Sequence, residues 1–229
     1  MVVCSAVFGG SAGAFVPRIA YRLAVPFGAQ PRPVCATCAK AFHGWVRAGA
    51  ACPCEASSWP AIAGTAGAAG LLGATVDAAS LLPMLLLAVL LGALLCQIDV
   101  RCLRLPDPVV GALAVVIVVP LSVRAVALGE SSRWGSAVLA TGVVGCAYLM
   151  IAILPRGGLG LGDVKLAAVL GFALGYLGWS VVAVGLLVPP LINGPWALFL
   201  LVTRRAGRST ALPFGPALLI GALLAVTTA

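Results

Sequence analysis

Long runs without a charged side chain are the feature that most constrains this chain. Between Lys165 and Arg204, 38 consecutive residues contain no Asp, Glu, Lys or Arg. A helix rises about 1.5 Å per residue, so about 20 residues cross the hydrocarbon core of a bilayer and this run suffices for two crossings. Further runs lie between Glu55 and Asp77, Asp77 and Asp99, Asp107 and Arg124, and Arg133 and Arg156. With 62% hydrophobic and 9% charged residues, the chain is predicted to be an all-α, polytopic membrane protein.

The runs predict about eight transmembrane helices. Residues 1–17 form the first predicted span, the 38-residue run supplies two spans with a turn near residues 175–180, and residues 209–229 supply the last. One polar insertion, residues 18–59, has too little apolar material for a core of its own, so we expect a metal or the membrane to order it. The predicted organisation is a first span over 1–17, a cytoplasmic cysteine-containing insertion over 18–59, and a membrane core of seven spans over 60–229.

The basic residues fall unevenly on the two sides of this eight-span arrangement. Those on one side are Arg18, Arg22, Arg32, Lys40, Arg47, Arg101, Arg104, Arg156, Lys165, Arg204, Arg205 and Arg208. Only Arg124 and Arg133 fall on the other side. Since cytoplasmic loops carry the excess of Lys and Arg, the larger group is predicted to be cytoplasmic. The net charge of +8 therefore reflects orientation in the lipid bilayer, and no nucleic-acid partner is predicted because aromatic residues do not interleave with the basic ones.

Two of the acidic residues stand out by their position. Asp99 ends the third predicted span and Asp163 begins the sixth, both on the cytoplasmic side. Four of the six residues before Asp163 are glycine, which allows a tight turn and the close approach of another chain. Carboxylates at a membrane edge are candidates for a functional role. The alternative is that each Asp only caps a helix or pairs with Arg101, Arg104 or Lys165.

A pair of carboxylates suits the hydrolysis of a peptide bond. One carboxylate, ionised, takes a proton from the attacking water, and the other, protonated, polarises the scissile carbonyl. Two such groups in contact share a proton, because ionising both in a low dielectric is unfavourable. Two other functions remain open: a small transporter or channel that uses Asp99 and Asp163 as proton or cation sites, and a catalytically inactive assembly factor.

Two stretches carry a resemblance to a known family. The sequences IDVRCLRLPD, ending at Asp107, and GLGLGDVKLAAVLG, around Asp163, resemble the two signature stretches of the type IV prepilin peptidases, membrane aspartic proteases of the GxGD class. The segments GGSAGAFVPRIAYRL and LPFGPALLIGAL are similar to the opening and closing segments of that family. The resemblance implies that Asp99 and Asp163 are the catalytic pair. The residues expected to support them are Asp107, Gly160, Gly162 and Lys165.

The resemblance also implies a substrate and a location. A prepilin peptidase is expected to cut the leader of prepilin-like or pseudopilin proteins on the cytoplasmic side of the bacterial inner membrane. Proteolysis of this kind needs no cofactor, whereas methylation of the new amino terminus, if present, would use S-adenosylmethionine. Pro17 or its neighbours stand where the family usually has Asn. Pro106 and Pro108 flank Asp107 and are expected to discourage regular helix there.

Four cysteines in the polar insertion resemble the zinc-binding cysteine domain of the longer prepilin peptidases. Cys35-Ala-Thr-Cys38 is a CxxC pair, and Cys52-Pro-Cys54 is a CxC pair. Four thiolates suit tetrahedral zinc, with His43 as a possible substitute ligand. The alternative is a loop without metal. The remaining thiols, predicted to be small apolar packing residues in or beside spans, are Cys4, Cys96, Cys102 and Cys146.

Overall fold

All but one small bridge of the regular secondary structure in the described residues is helical, and these residues contain no β-strand, as predicted. The computed structural model describes residues 1–26, 28–52, 54, 58–76, 78–154, 159–203 and 213–229, with the backbone alone at 196–198 and 200–202. The helices are α1 (Val2–Gly13), α2 (Val16–Leu23), α3 (Trp59–Thr75), α4 (Leu82–Cys102), α5 (Asp107–Leu128), α6 (Ser131–Ile153), α7 (Leu161–Leu177), α8 (Trp179–Val202) and α9 (Gly215–Thr227). Residues used in the predictions above that lie outside the described ones are Glu55, Asp77, Arg156, Gly157, Gly158, Arg204, Arg205 and Arg208.

Several of these helices are suited to a membrane. Among the described residues, α4, α5 and α6 are long and apolar enough to cross the hydrocarbon, and α1 with α2 would be a fourth span if this pair, bent by 41°, counts as one. Trp179–Pro195 and Gly215–Thr227 are shorter apolar helices. On α5, Val115, Val119 and Val123 form an exposed apolar stripe at helical spacing. The chain is therefore an all-helical membrane protein with three to four clear span candidates, where the charge pattern predicted about eight.

The chain divides into two compact units, Met1–Pro106 and Asp107–Ala229. In the first, α1 packs on α3, and α2 and α3 pack on α4. Gly9 permits the close α1–α3 approach, because a Cβ there would lie 2.5 Å from the carbonyl oxygen of Thr65. The predicted first span, residues 1–17, is two helices in the structure, since the helix breaks after Gly13 and restarts at Val16. Pro17 lies in the first turn of α2, where a missing N–H costs no hydrogen bond.

The cysteine-containing insertion folds against α2. Val34 and Ala41 form an isolated antiparallel bridge, and the Phe42 N–H donates to the carbonyl oxygen of Pro33 at 2.9 Å. At the turn between them, the Ala39 N–H donates to the carbonyl oxygen of Cys35 at 3.0 Å. These bonds fold residues 33–42 into a tight loop that presents the CxxC pair.

In the second unit α7 is the central helix. It packs on α5, α6, α8 and α9, and one side of α7 is buried from Asp163 to Tyr176. Gly171 and Gly175 lie one turn apart and face α6. A Cβ at Gly175 would overlap the Cβ of Ala140 and lie 2.9 Å from the carbonyl oxygen of Ser136. Small residues at this spacing let two membrane helices approach closely.

Asp107 corrects one expectation. Its flanking prolines were expected to discourage helix, but α5 begins at Asp107. Pro108 is then in the first turn, where its fixed φ suits a helix and its missing N–H would have had no intrahelical partner. The expectation was wrong because Pro disfavours the interior of a helix and not its first turn.

Candidate active site and cysteine cluster

Asp99 lies in the last turns of α4. Its side chain is buried, with the residue only 3% exposed. The helix ends at Cys102, and the next residue, Leu103, has a left-handed backbone (φ 52°) and donates its N–H to the carbonyl oxygen of Asp99 at 2.7 Å. A left-handed residue that closes the final turn is a common way to end a helix. The apolar run thus delivers a buried carboxylate at its end.

A pocket of about 130 Å³ adjoins this end of α4 within the first unit. The pocket is lined by Ile98 and Cys102, which flank Asp99 along α4, and by residues from the stretch 23–31, at the end of α2 and just after it. Arg104 closes one part of it by donating to the carbonyl oxygen of Val25 at 3.5 Å. The Asp99 end of α4 therefore lies against the part of the insertion that directly follows α2.

Asp163 lies in the first turn of α7. The Gly160 N–H donates to Asp163 Oδ2 at 3.2 Å, and the Gly160 carbonyl oxygen accepts from the Asp163 N–H at 3.0 Å and the Val164 N–H at 3.3 Å. The first turn of a helix favours a carboxylate, because the helix dipole is positive there. A Cβ at Gly160 would lie 3.3 Å from Oδ2, so glycine leaves the space that the carboxylate occupies. Gly162 is the second residue of the same helix.

Burial separates the four described acidic residues into two kinds. Asp99 and Asp163 are buried, with 3% and 9% of each residue exposed. The side chains of Asp107 and Glu130 are 62% and 21% exposed. Sequence analysis had singled out the two buried ones. Asp99 belongs to the first unit and Asp163 to the second, and the pairing of the two carboxylates stays a prediction.

Lys165 and Asp107 are brought together within the second unit. Lys165 Nζ lies 2.6 Å from Asp107 Oδ1, joining α7 to the start of α5. Both side chains are more than half exposed. Two residues predicted to support the site therefore form an ion pair, a contact that no spacing or motif in the sequence predicts.

Glu130 is an acidic residue for which the sequence suggested no role. It follows α5, and its carboxylate lies 3.8 Å from Arg124 and 3.4 Å from Arg133. The Tyr176 hydroxyl, near the end of α7, donates to Glu130 Oε2 at 2.5 Å. The α5–α6 turn is thereby joined to the end of α7 that is farther from Asp163 along the helix.

The four cysteines of the insertion form one cluster, as the CxxC and CxC spacing predicted. Their sulfur atoms all lie within 4.8 Å of one another. Cys35 and Cys54 are 3.4 Å apart, Cys38 and Cys52 3.2 Å, and Cys38 and Cys54 3.6 Å. Four sulfurs at about 2.3 Å from a zinc ion would be about 3.8 Å apart. The donor set and its spacing therefore fit tetrahedral zinc, and His43 is not among the clustered groups.

The cluster also has the electrostatics of a cation site. The backbone N–H groups of Cys38 and Thr37 donate to the Cys35 sulfur and lower the pKa of that thiol to about 6, so it is a thiolate at neutral pH. Hydrogen bonds with the Cys52 and Cys35 sulfurs raise the pKa of Cys54 to about 12. One thiolate beside further thiols disfavours a second ionisation, whereas a bound cation would favour all four.

Comparison with known proteins identifies a family for the part of the chain from α4 to α9. Residues 84–227, more than half of the chain, match the type IV leader peptidase family. The chain belongs to that family. The matched part contains Asp99, Asp107 and Asp163, whereas the cysteine cluster precedes it.

Two relatives place this leader peptidase family member among known proteins. It is 27% identical over 127 residues to a prepilin leader peptidase/N-methyltransferase of Bacillus subtilis, covering 56% of this chain and 48% of that protein. It is 35% identical over 79 residues to a protein of the same name from Pseudomonas putida, covering 34% of this chain and 26% of that protein. The matches thus span half or less of each relative's length. No solved structure matches the chain significantly.

Proposed function

We propose that this chain is a membrane aspartic endopeptidase that cleaves the leader peptide of prepilin-like or pseudopilin proteins. The observation that carries the proposal is the burial of Asp99 and Asp163, each at the end of an apolar helix. Burial of a carboxylate costs free energy unless it is compensated. The names of the two relatives support the same activity.

The two carboxylates act as an acid and a base. The ionised member takes a proton from water as the water oxygen attacks the scissile carbonyl carbon. The protonated member donates a hydrogen bond to the carbonyl oxygen and then a proton to the departing amine. No covalent intermediate with the enzyme forms. Gly160 gives Asp163 room beside the helix terminus and, with Gly162, leaves the backbone open to an extended substrate.

The eight-span arrangement and an active site facing the cytoplasm of a bacterial inner membrane belong to the same proposal. The excess of Lys and Arg on one side supports this orientation. The limits of α3, α4, α5 and α6 lie near the charged residues that bound the corresponding predicted spans, and α7 and α8 are separated only by Gly178 (φ 147°), within the predicted turn.

Zinc on the four cysteines is a further part of the proposal. Cys35, Cys38, Cys52 and Cys54 would hold the ion, which would order the insertion by coupling ligation to folding. Both relatives are also named as N-methyltransferases, and methyl transfer by this chain, with S-adenosylmethionine as the donor, would be a separate activity. The family match begins at residue 84, so it supports the peptidase and gives no support for methyl transfer by the residues before it. Transfer of a labelled methyl group to the cleaved product would test it.

The peptidase proposal is tested with Asp99→Asn and Asp163→Asn. Each variant is co-expressed with a prepilin-like substrate, and leader removal is followed as a mobility shift. Both variants are expected to fold in the membrane and to lose cleavage, because an amide serves neither as base nor as acid. Glu130→Gln is the matched control, since it removes a carboxylate that contacts Tyr176 and not the proposed pair. Full processing by either Asp variant would exclude the aspartic pair.

Zinc is tested by elemental analysis of purified protein and of a Cys38→Ser variant. The full chain is expected to carry one zinc per molecule and the variant much less. Treatment with chelator should expose the insertion to proteases at sites within residues 33–54. Absence of stoichiometric zinc, with the same protease resistance before and after chelator, would contradict the proposal.

A further inference from the structure

Tyr21 forms the centre of the small core beneath the cysteine cluster. The residue is 5% exposed and packs with Phe42 in an edge-to-face contact at 5.6 Å between ring centroids. Cys35, Ala51 and Cys52 complete the buried group. The loop that bears the cysteines therefore shares its core with α2, the helix at the start of the insertion.

The hydroxyl of Tyr21 contacts the cluster directly. It accepts a hydrogen bond from the Ala36 N–H at 2.9 Å and donates to the Cys35 sulfur at 3.7 Å. Ala36 lies inside the CxxC loop. A change in the geometry of that loop therefore moves the groups to which the Tyr21 hydroxyl is hydrogen-bonded.

The ring of Tyr21 contacts the helix that bears Asp99. The Arg101 guanidinium lies 5.4 Å from the ring centroid, and that of Arg32 lies 5.0 Å from it. Both distances are within the range of a cation–π attraction. Arg101 follows Asp99 by two residues on α4. One side chain thus touches both the cluster and the last turn of α4.

Neighbouring side chains tie α2 to the insertion on both sides of Tyr21. Arg18 donates to the carbonyl oxygen of His43 at 3.2 Å, and Arg22 donates to that of Gly44 at 2.9 Å. These bonds make α2 and the loop that bears the cysteines a connected body, so that an ordered cluster holds α2 in place.

We propose that Tyr21 is a positioning residue that couples the metal state of the cysteine cluster to the Asp99 end of α4 through Arg101. The proposal rests on the proposed peptidase function and on metal binding by the cluster. Loss of the metal loosens the CxxC loop, and the Tyr21 ring shifts with it. The last turn of α4 then loses the contact between Arg101 and Tyr21, which helps to hold Asp99 in the position needed for cleavage.

Three substitutions separate the parts of this connection. Tyr21→Phe keeps the ring and removes the hydroxyl, Tyr21→Leu removes both, and Arg101→Gln removes the cation on α4. Trp45→Leu is the control, because it removes an aromatic partner of Arg22 on the same insertion without touching Tyr21. Each full-length variant is purified in detergent, loaded with Co²⁺, and followed by the absorption of the cobalt–thiolate bonds.

Leader cleavage gives the first readout. Tyr21→Leu and Arg101→Gln are expected to lower kcat about threefold to tenfold with KM unchanged, the scale of a single cation–π contact. Removing the metal from the unsubstituted protein should lower kcat similarly, and removing it from Tyr21→Leu should lower kcat no further. The Co²⁺-loaded Tyr21→Phe variant should have the kcat of the unsubstituted protein. It should release Co²⁺ to a chelator faster than the unsubstituted protein does. Trp45→Leu should leave kcat as it is.

The second readout does not depend on catalysis. Cys102 lies half-buried next to Arg101, and its rate of maleimide labelling, resolved by mass spectrometry of the peptides, reports on the last turn of α4. Tyr21→Leu, Arg101→Gln and metal removal should each raise this rate severalfold. If no variant cleaves any prepilin-like substrate, the peptidase proposal fails and the Cys102 rates alone decide the coupling. Unchanged Cys102 rates in Tyr21→Leu and Arg101→Gln would overturn it, as would a metal-dependent kcat that persists in Tyr21→Leu.

Discussion

The ion pair between Lys165 and Asp107 is exposed and is expected to contribute little to the stability of the protein. Their side chains are 55% and 62% exposed, so water and salt screen the attraction across 2.6 Å. We expect Lys165→Met and Asp107→Asn each to lower the free energy of unfolding by less than about 1 kcal/mol and to leave most leader cleavage intact. Thermal unfolding in detergent and the cleavage assay measure these effects. A loss of cleavage as complete as that of Asp163→Asn would assign the altered residue to the chemistry itself.

Gly160 can be tested separately from the carboxylate that it accommodates. Its backbone has an extended conformation (φ −74°, ψ 147°) that any residue can adopt. An alanine at this position therefore introduces no backbone strain. The added Cβ would lie 3.3 Å from Asp163 Oδ2 and would displace that oxygen by a few tenths of an ångström. We expect Gly160→Ala to lower kcat roughly tenfold with stability unchanged, because small misplacements of a catalytic group are costly.

Gly111→Ala provides the control for Gly160→Ala, since a Cβ at Gly111 meets nothing within 4 Å. Cleavage by Gly111→Ala should equal that of the unsubstituted protein. If Gly160→Ala cleaved as fast as the unsubstituted protein, the glycine would not be needed to leave space beside Asp163.

The close packing of helices α6 and α7 depends on the absence of a side chain at Gly175. A Cβ at Gly175 would collide with Ala140 and with the backbone of Ser136, and forced overpacking costs about 1–3 kcal/mol. Gly175→Ala is therefore expected to lower the thermal unfolding temperature in detergent. Gly142→Ala, on α6, is the matched control: its Cβ meets nothing within 4 Å, so alanine should leave stability unchanged or raise it by up to about 1 kcal/mol. Equal stability of the two variants would contradict the close crossing.

Helix limits were predictable where lipid solubility sets them. The break at Gly178 between α7 and α8 lies in the predicted turn, because two crossings of a bilayer need a reversal near the middle of a 38-residue run. The break between α1 and α2 was not predicted. It lies within a charge-free segment, so hydropathy gives no signal for it, and the restart at Val16 depends on what α2 packs against.

The site was predictable to the same degree. A carboxylate beside a long apolar run is conspicuous in the sequence, and Asp99 and Asp163 are the buried carboxylates among the described residues. The spacing of the cysteines likewise predicted the cluster. The role of Tyr21 was not predictable, because its contacts with Cys35 and Arg101 join segments whose separation follows no helical or strand period.

For the whole molecule, the distribution of basic residues makes a prediction about orientation. A reporter fused after Arg205 is expected to be cytoplasmic, and one fused near Glu130 external. Glu130 lies within ion-pair distance of both Arg124 and Arg133, the two basic residues of the predicted external side, which leaves that side with little net charge. A fusion after Leu103 serves as a second cytoplasmic control. The reverse pattern of reporter activity would exclude the eight-span arrangement.

The position of Tyr21 also bears on the order in which the chain is assembled. Tyr21 and Cys35 are 14 residues apart, and Cys35 and Cys54 are 19 apart, whereas Arg101 follows Tyr21 by 80 residues. Short loops close at a smaller entropic cost, and a chain leaves the ribosome amino terminus first. All of the cluster is therefore synthesised before α4. We expect the cysteine loop to be able to fold around an ion before the Asp99 helix docks onto it.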